Sequence, residues 1–233
     1  MAPFNQMAIA YWATALRMLD DRRGDAFRDY DELVRVFDID TPNGWSRLDD
    51  YLADLATALL PMHPFESHPV GQSLRRGSQT MQSLLQSDQP AIQSFFEAID
   101  GPIHRYMAAL GQGDDPVRSR NHCAYRLNGC WSVWLKPGGY HVDHVHPQGW
   151  ISSACYVATP KAAEDSIRKE GWIRFGQPAV QPPGGLAAEH FVQPRPGRLV
   201  LFPAWMWHGT VPVTSDERRL TVAFDVLPAE PKN

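Results

Sequence analysis

Residues 138–150, GGYHVDHVHPQGW, pack His141, Asp143, His144 and His146 into six positions, and His208 follows downstream in FPAWMWHGTVP. Imidazole and carboxylate side chains at that density, flanked by β-prone residues, are the donor types that a mononuclear metal site on a sheet requires. Alternate residues of a strand share a face, so His144 and His146 point together while His141 and Asp143 point the other way. Only one pair can line an interior. With His208 added, His141 and Asp143 would give the common two-histidine, one-carboxylate set, whereas His144 and His146 would give three histidines. The more scattered His63, His68, His104, His122 and His190 are expected to be structural.

The run ERRLTVAFDVL offers a second chemical face. Arg219, Thr221, Ala223 and Asp225 fall on one side of a strand, and Leu220, Val222, Phe224 and Val226 on the other. The apolar side needs cover from helices, so the polar side looks inward. A guanidinium and a hydroxyl two residues apart then face one interior, where they could grip a carboxylate. Arg218 has the opposite parity and is expected at the solvent.

Those residues need a scaffold. The chain has 233 residues, 43% hydrophobic and 21% charged, enough to bury one substantial core. Its net charge is −4 and it has no basic block to hold a phosphate backbone, so nucleic acid is not expected as a partner. The N-terminal stretch lacks the pattern of a secretory signal and no apolar run approaches a membrane span, which leads us to expect a cytoplasmic protein with no membrane association. Cys123, Cys130 and Cys155 lack CxxC spacing and read as free thiols, with Cys130 and Cys155 buried among strand residues.

Helical spacing of apolar residues predicts helices over 8–18 and 30–37. Ser46 and Asp49 have the spacing of a capping box, ahead of a third helix carrying Leu48, Tyr51, Leu52, Leu55 and Leu59. Residues 63–80 show little periodicity and read as an ordered loop whose Arg75, Arg76 and Gln79 could reach an active-site mouth. Residues 81–85 and 91–110 again look helical. From about residue 126 the character changes to short β-rich runs, WSVWL, WISSACYVA, GWIRFG, GRLVLFP and RLTVAFDVL, separated by Gly and Pro. With no long helix between them, they argue for an antiparallel sandwich or barrel. Residues 177–197 are too rich in Pro and Gly for a strand, and their length suggests a flap over one end of that barrel. Trp131, Trp134, Trp150, Trp205 and Trp207 are mostly core candidates, with one or two left to line the mouth.

Taken in order, NGCWSVWLKPGGYHVDHVHPQGWISSACYVATP, GWIRFGQP, GRLVLFPAWMWHGTVPV and ERRLTVAFDV resemble the Fe(II)- and 2-oxoglutarate-dependent oxygenases, specifically a bacterial group often fused to tetratricopeptide repeats. HPVGQSLRRGSQT is similar to a polar signature preceding the barrel in that group. The resemblance implies an α+β fold with N-terminal helices, residues 1–120, as a connector and support region, packed on a double-stranded β-helix (jelly-roll, cupin-like) core over 121–233. It implies an oxidoreductase, a dioxygenase using Fe(II) and 2-oxoglutarate. HVHP looks like the family's metal strand, which makes His144, His146 and His208 the metal ligands, with Asp143 as the alternative that needs the opposite strand face. Arg219 with Thr221 matches the pattern that grips the cosubstrate's far carboxylate, and Tyr156 could add a hydroxyl. By analogy the substrate is a peptide or protein side chain, or else a small molecule, and a tetratricopeptide-repeat partner is conceivable. Two other readings remain open at this point: a three-histidine cupin dioxygenase that does not use 2-oxoglutarate, and a non-enzymatic metal-binding interaction module.

Overall fold

The computed structural model describes residues 4–63 and 71–229. Four α-helices, α1 (Gln6–Met18), α2 (Tyr30–Leu33), α3 (Leu48–Leu59) and α4 (Pro90–Leu110), accompany nine strands: β1 (Arg35–Asp38), β2 (Leu74–Gln79), β3 (Tyr125–His141), β4 (Ile151–Ala158), β5 (Ile173–Phe175), β6 (His190–Val192), β7 (Arg198–Pro203), β8 (His208–Thr210) and β9 (Arg219–Pro228). Six strands form one sheet in the order β1-β7-β4-β9-β3-β2, and β6-β5-β8 form a second. Every pairing is antiparallel. Strands β1 to β4 lie in the large sheet and β5 and β6 in the second, after which β7, β8 and β9 alternate between the two, giving two facing antiparallel sheets of jelly-roll type.

The large sheet is apolar on its outer side, and helices cover it. Phe224 of β9 is fully buried and meets Phe95 of α4 edge to face, with ring centroids 6.1 Å apart. Tyr51, Leu55 and Leu59 of α3 join the same buried cluster as Val222 and Val226. This is the cover that the alternating pattern of β9 demanded. Helix α1 braces the segment before β8: Tyr11 meets Trp207 at 5.5 Å, the Trp207 indole donates to Thr14 Oγ1 at 3.0 Å, and Phe27 bridges Trp12 and Trp205.

Local reading failed where the tertiary context competes with it. Helix was expected over 30–37, but α2 ends at Leu33, and Arg35–Asp38 pairs with β7, Arg35 opposite Leu201. The sheet edge offers the Val-Phe run more than a further helical turn would. Residues 63–80 are not simply a loop, because β2 adds to β3 through a bulge between Arg75 and Gly77, although 64–70 of that stretch lie outside the described residues. The first 120 residues therefore supply both edge strands of the large sheet as well as helices. Ser46 caps nothing: α3 starts at Leu48 with Arg47 as its N-cap, no side chain bonding the first turn, and Asp49 pairs with Arg47 at 3.0 Å. Over 81–85 only a single 3₁₀ turn forms, at Leu84–Gln86.

The flap expectation for 177–197 also needs correction. Part of it is the strand β6, and the rest is laced to α1 and α2. Arg17 donates to Gly176 O and Ala187 O at 2.6 and 2.9 Å, and Tyr30 donates to Glu189 at 2.8 Å. All three cysteines are free, with Cys130 and Cys155 buried and Cys123 exposed. Among the described residues no helix is long and apolar enough to cross a membrane.

Candidate metal centre

Strand β3 ends at His141, and from there the chain crosses to the other sheet. His144 rejoins regular pairing opposite His208, its N–H donating to His208 O at 2.9 Å and its own carbonyl accepting from His208 N at 3.0 Å. The His146 N–H reaches Ala204 O at 2.9 Å. These backbone bonds bring three imidazoles together from positions 62 to 64 residues apart in part of the chain, with ring centroids 4.2 Å apart for His144 and His208, 5.0 Å for His146 and His208, and 5.2 Å for His144 and His146. One potential ligand atom from each lies within 4.8 Å of the others.

The tautomers follow from the partners. His144 Nδ1 lies 2.9 Å from Val142 O and His208 Nδ1 lies 2.9 Å from Met206 O. A carbonyl oxygen only accepts, so each Nδ1 carries the hydrogen and each Nε2 keeps its lone pair. His146 Nδ1 lies 2.6 Å from Asp225 Oδ1 and 2.8 Å from Ser152 Oγ, which directs its Nε2 inward as well, 3.3 Å from His144 Nε2. Burial pushes His144 down to about 3 and His208 well below the usual imidazole range, each pushed further by the neighbouring imidazoles. Neutral rings with inward lone pairs are what a divalent cation binds.

Asp143 is elsewhere. It is 6% exposed and forms a bidentate pair with Arg174, at 3.0 Å from Nε and 2.7 Å from Nη2. His141, expected beside Asp143, instead lines the same cavity as the triad and stacks on His144 with centroids 5.7 Å apart. Strand parity does not carry through 141–143 because β3 stops at His141. Ser73 holds His141 Nδ1 at 2.9 Å, and burial pushes this imidazole well down too.

The cavity, about 300 Å³, lies between the two sheets. Arg219, Thr221, Ala223 and Asp225 all line it, as the parity of β9 predicts. Arg219 is 2% exposed, its Nε has no hydrogen-bond partner, and its guanidinium stands 4.8 Å over the Tyr156 ring. The Tyr156 hydroxyl is buried without a partner at hydrogen-bond geometry. Burial pushes the Tyr156 phenol up, while the adjacent guanidinium pulls it down. Burial in turn lowers Arg219, which makes no ion pair with a carboxylate among the described residues. Thr221 Oγ1 donates a long bond, 3.4 Å, to Val133 O. Orphaned donors at a buried cation fit an anionic ligand, and the three inward Nε2 atoms fit a metal ion.

Of the other expected residues, Gln79 and Trp131 line the cavity and Trp131 lies 5.6 Å from His146, whereas Trp150, Trp205 and Trp207 are buried. Arg75 binds the Gln72 and Leu74 carbonyls, Arg76 packs on Gly138, and Arg218 is exposed over Trp134. His63 bridges Ser78 and Ser132, a structural role as expected. Ser152 and the role of Asp225 were missed. Asp225 had the inward parity to reveal it, whereas nothing in WISSACYVA singles out Ser152.

Three convergent histidines and a buried arginine thus share one cavity of the two-sheet fold, an arrangement that could hold a metal ion beside an anion. Residues 129–225 match the model of the family described as "Putative 2OG-Fe(II) oxygenase". The match spans His144, His146, His208 and Arg219 and supports an oxidoreductase enzyme with iron and 2-oxoglutarate as cofactors. The match favours the enzymatic reading over the non-enzymatic alternative. No curated protein matches the sequence. The fold is similar to a prolyl-4-hydroxylase from Pseudomonas putida, at 16% identity over 87% of this chain and 96% of that one with a TM-score of 0.54. It is similar to a prolyl hydroxylase from Trichoplax adhaerens in complex with a peptide fragment of hypoxia inducible factor, at 11% identity over 94% and 93% with a TM-score of 0.59. HygX from Streptomyces hygroscopicus, with nickel and 2-oxoglutarate bound, is 12% identical over 88% and 87% with a TM-score of 0.55.

Proposed function

We propose that His144, His146 and His208 hold Fe(II) through their Nε2 atoms, that Arg219 and Thr221 take the far carboxylate of 2-oxoglutarate beside Tyr156, and that the enzyme hydroxylates an uncharged peptide or protein side chain. One observation carries the reading: three convergent, inward-facing imidazoles share a cavity with a buried guanidinium that has no counterion among the described residues. Fe(II) and 2-oxoglutarate, when bound, supply the activation of dioxygen that oxidises a C–H bond.

The chain's own residues bind, orient and exclude water. Arg219 offers a fixed, desolvated charge, which suits one end of a dicarboxylate. Val142 O, Met206 O and Asp225 hold the imidazole tautomers. Gln72, Gln79, Trp131, Pro147 and Gln148 complete the cavity wall and none of them is charged. An indole face and amide groups suit a neutral, peptide-like substrate, and two of the similar folds are titled prolyl hydroxylases, which supports the substrate class by analogy.

An anaerobic Fe(II) titration with and without 2-oxoglutarate tests this, following the weak visible charge-transfer band. The band should require both components and disappear in His144→Ala, His146→Ala and Arg219→Ala while persisting in Asp143→Asn. A folded wild type that binds Fe(II) but gives no band would favour the three-histidine dioxygenase that binds its substrate directly. The all-histidine donor set keeps that second reading specific.

A further inference from the structure

One of the three histidines is held differently from the other two. His144 and His208 give their Nδ1 hydrogens to backbone carbonyls, but His146 meets a carboxylate, Asp225 Oδ1, at 2.6 Å. Ser152, directly opposite Asp225 in the β4–β9 register, closes a triangle: its hydroxyl lies 2.9 Å from Asp225 Oδ1 and 2.8 Å from His146 Nδ1. Asp225 is 8% exposed, and among the described residues His146 is its sole ion-pair partner. A carboxylate buried without Lys or Arg is costly unless positive charge stands close by. A cation held at the Nε2 of the imidazole beside it would supply that charge through the ring. Meanwhile a donor set of three imidazoles brings no negative charge of its own.

We propose that Asp225 is a positioning residue for the metal centre, acting through His146. It fixes the ring so that Nε2 faces the cation, and it places next to the first ligand shell the negative charge that a ligating carboxylate would otherwise supply. Ser152 orients the carboxylate. The pair thus makes a three-histidine centre behave electrostatically like one with two histidines and a carboxylate. The inference rests on the metal assignment above.

The test uses the full chain, stripped with a chelator and titrated with Co(II) while its visible ligand-field absorption is followed, together with the Fe(III)/Fe(II) midpoint potential of the iron-loaded protein. Asp225→Asn keeps the shape and a hydrogen-bond acceptor but removes the charge. Co(II) binding should weaken by about 10- to 100-fold, the usual consequence of losing such an outer partner. The potential should move positive, because loss of an anion disfavours the more highly charged Fe(III). Unchanged affinity, or weaker binding with an unmoved potential, would overturn the proposal, since a merely structural role moves no potential. If Asp225→Asn does not fold, Ser152→Ala decides: a smaller positive shift supports the proposal and no shift overturns it. His144→Ala and His208→Ala run alongside. If these bind Co(II) as tightly as wild type, the metal assignment itself has failed, and this inference with it.

Discussion

Arg219→Met separates the stability of this barrel from its function. The guanidinium is 2% exposed, its Nε is unpaired, and no carboxylate among the described residues forms an ion pair with it. An uncompensated buried charge costs several kcal/mol, and the Tyr156 ring 4.8 Å away returns about 2 kcal/mol of it. Methionine has similar reach and no charge, so the substitution should stabilise the ligand-free fold by on the order of 1–3 kcal/mol. For the wild type, 2-oxoglutarate at about 100 times its Kd should add about 2.7 kcal/mol through mass action. In a chain of this length each kcal/mol moves Tm by about 2–4 °C, which makes the ligand shift about 5–11 °C. Calorimetric scans with Mn(II) present, with and without 2-oxoglutarate, measure both quantities. The variant should melt at or above the wild type without ligand and show no ligand shift. A variant that melts several degrees lower, or one that still responds fully to 2-oxoglutarate, refutes the assignment of Arg219 as the anion site.

Asp143→Asn should strand Arg174 and cost about 3–5 kcal/mol in chemical denaturation, as breaking one side of a buried pair does, yet leave Co(II) affinity within about twofold, because Asp143 stands outside the triad. Burial lowers His63 to about 4, below its unfolded value, so its contribution to stability is present above pH 6.5 and is lost as pH falls towards 4. His63→Gln should therefore flatten the dependence of unfolding free energy on pH in that window, and an unaltered slope would contradict the assignment. Phe224→Ala should cost about 3–5 kcal/mol by opening a cavity against Phe95, with the Fe(II)/2-oxoglutarate band retained in whatever fraction folds.

Much of this protein was legible in one dimension because sheet parity is a local property. The alternation of β9 was enough to put Arg219 and Thr221 inside and Phe224 under a helix, and both placements appear in the fold. Likewise, the density of histidines around 144 marked a candidate metal site before any contact was known, and His144 and His146 do converge with His208. Parity misled at His141 and Asp143, where the strand ends and the chain changes sheet. A period-2 argument holds only while the backbone stays extended. Residues 35–38 and 74–79 were misread for a related reason: their strand state comes from partners at 198–201 and 133–141, and no local pattern contains those partners.

Composition and pattern thus settle the helical-then-β order of the chain, the two faces of β9 and the chemical class of the side chains available. What they leave open is which of several suitable donors meet. His144 and His208 are brought together by backbone pairing across 64 positions, Asp225 reaches His146 only because β9 lies beside β4, and Asp143 is lost to the site because Arg174 of the second sheet claims it. Hydrogen-bond partnership is a property of positions in space, and the energy that selects one donor over another exists only once both sheets are in place.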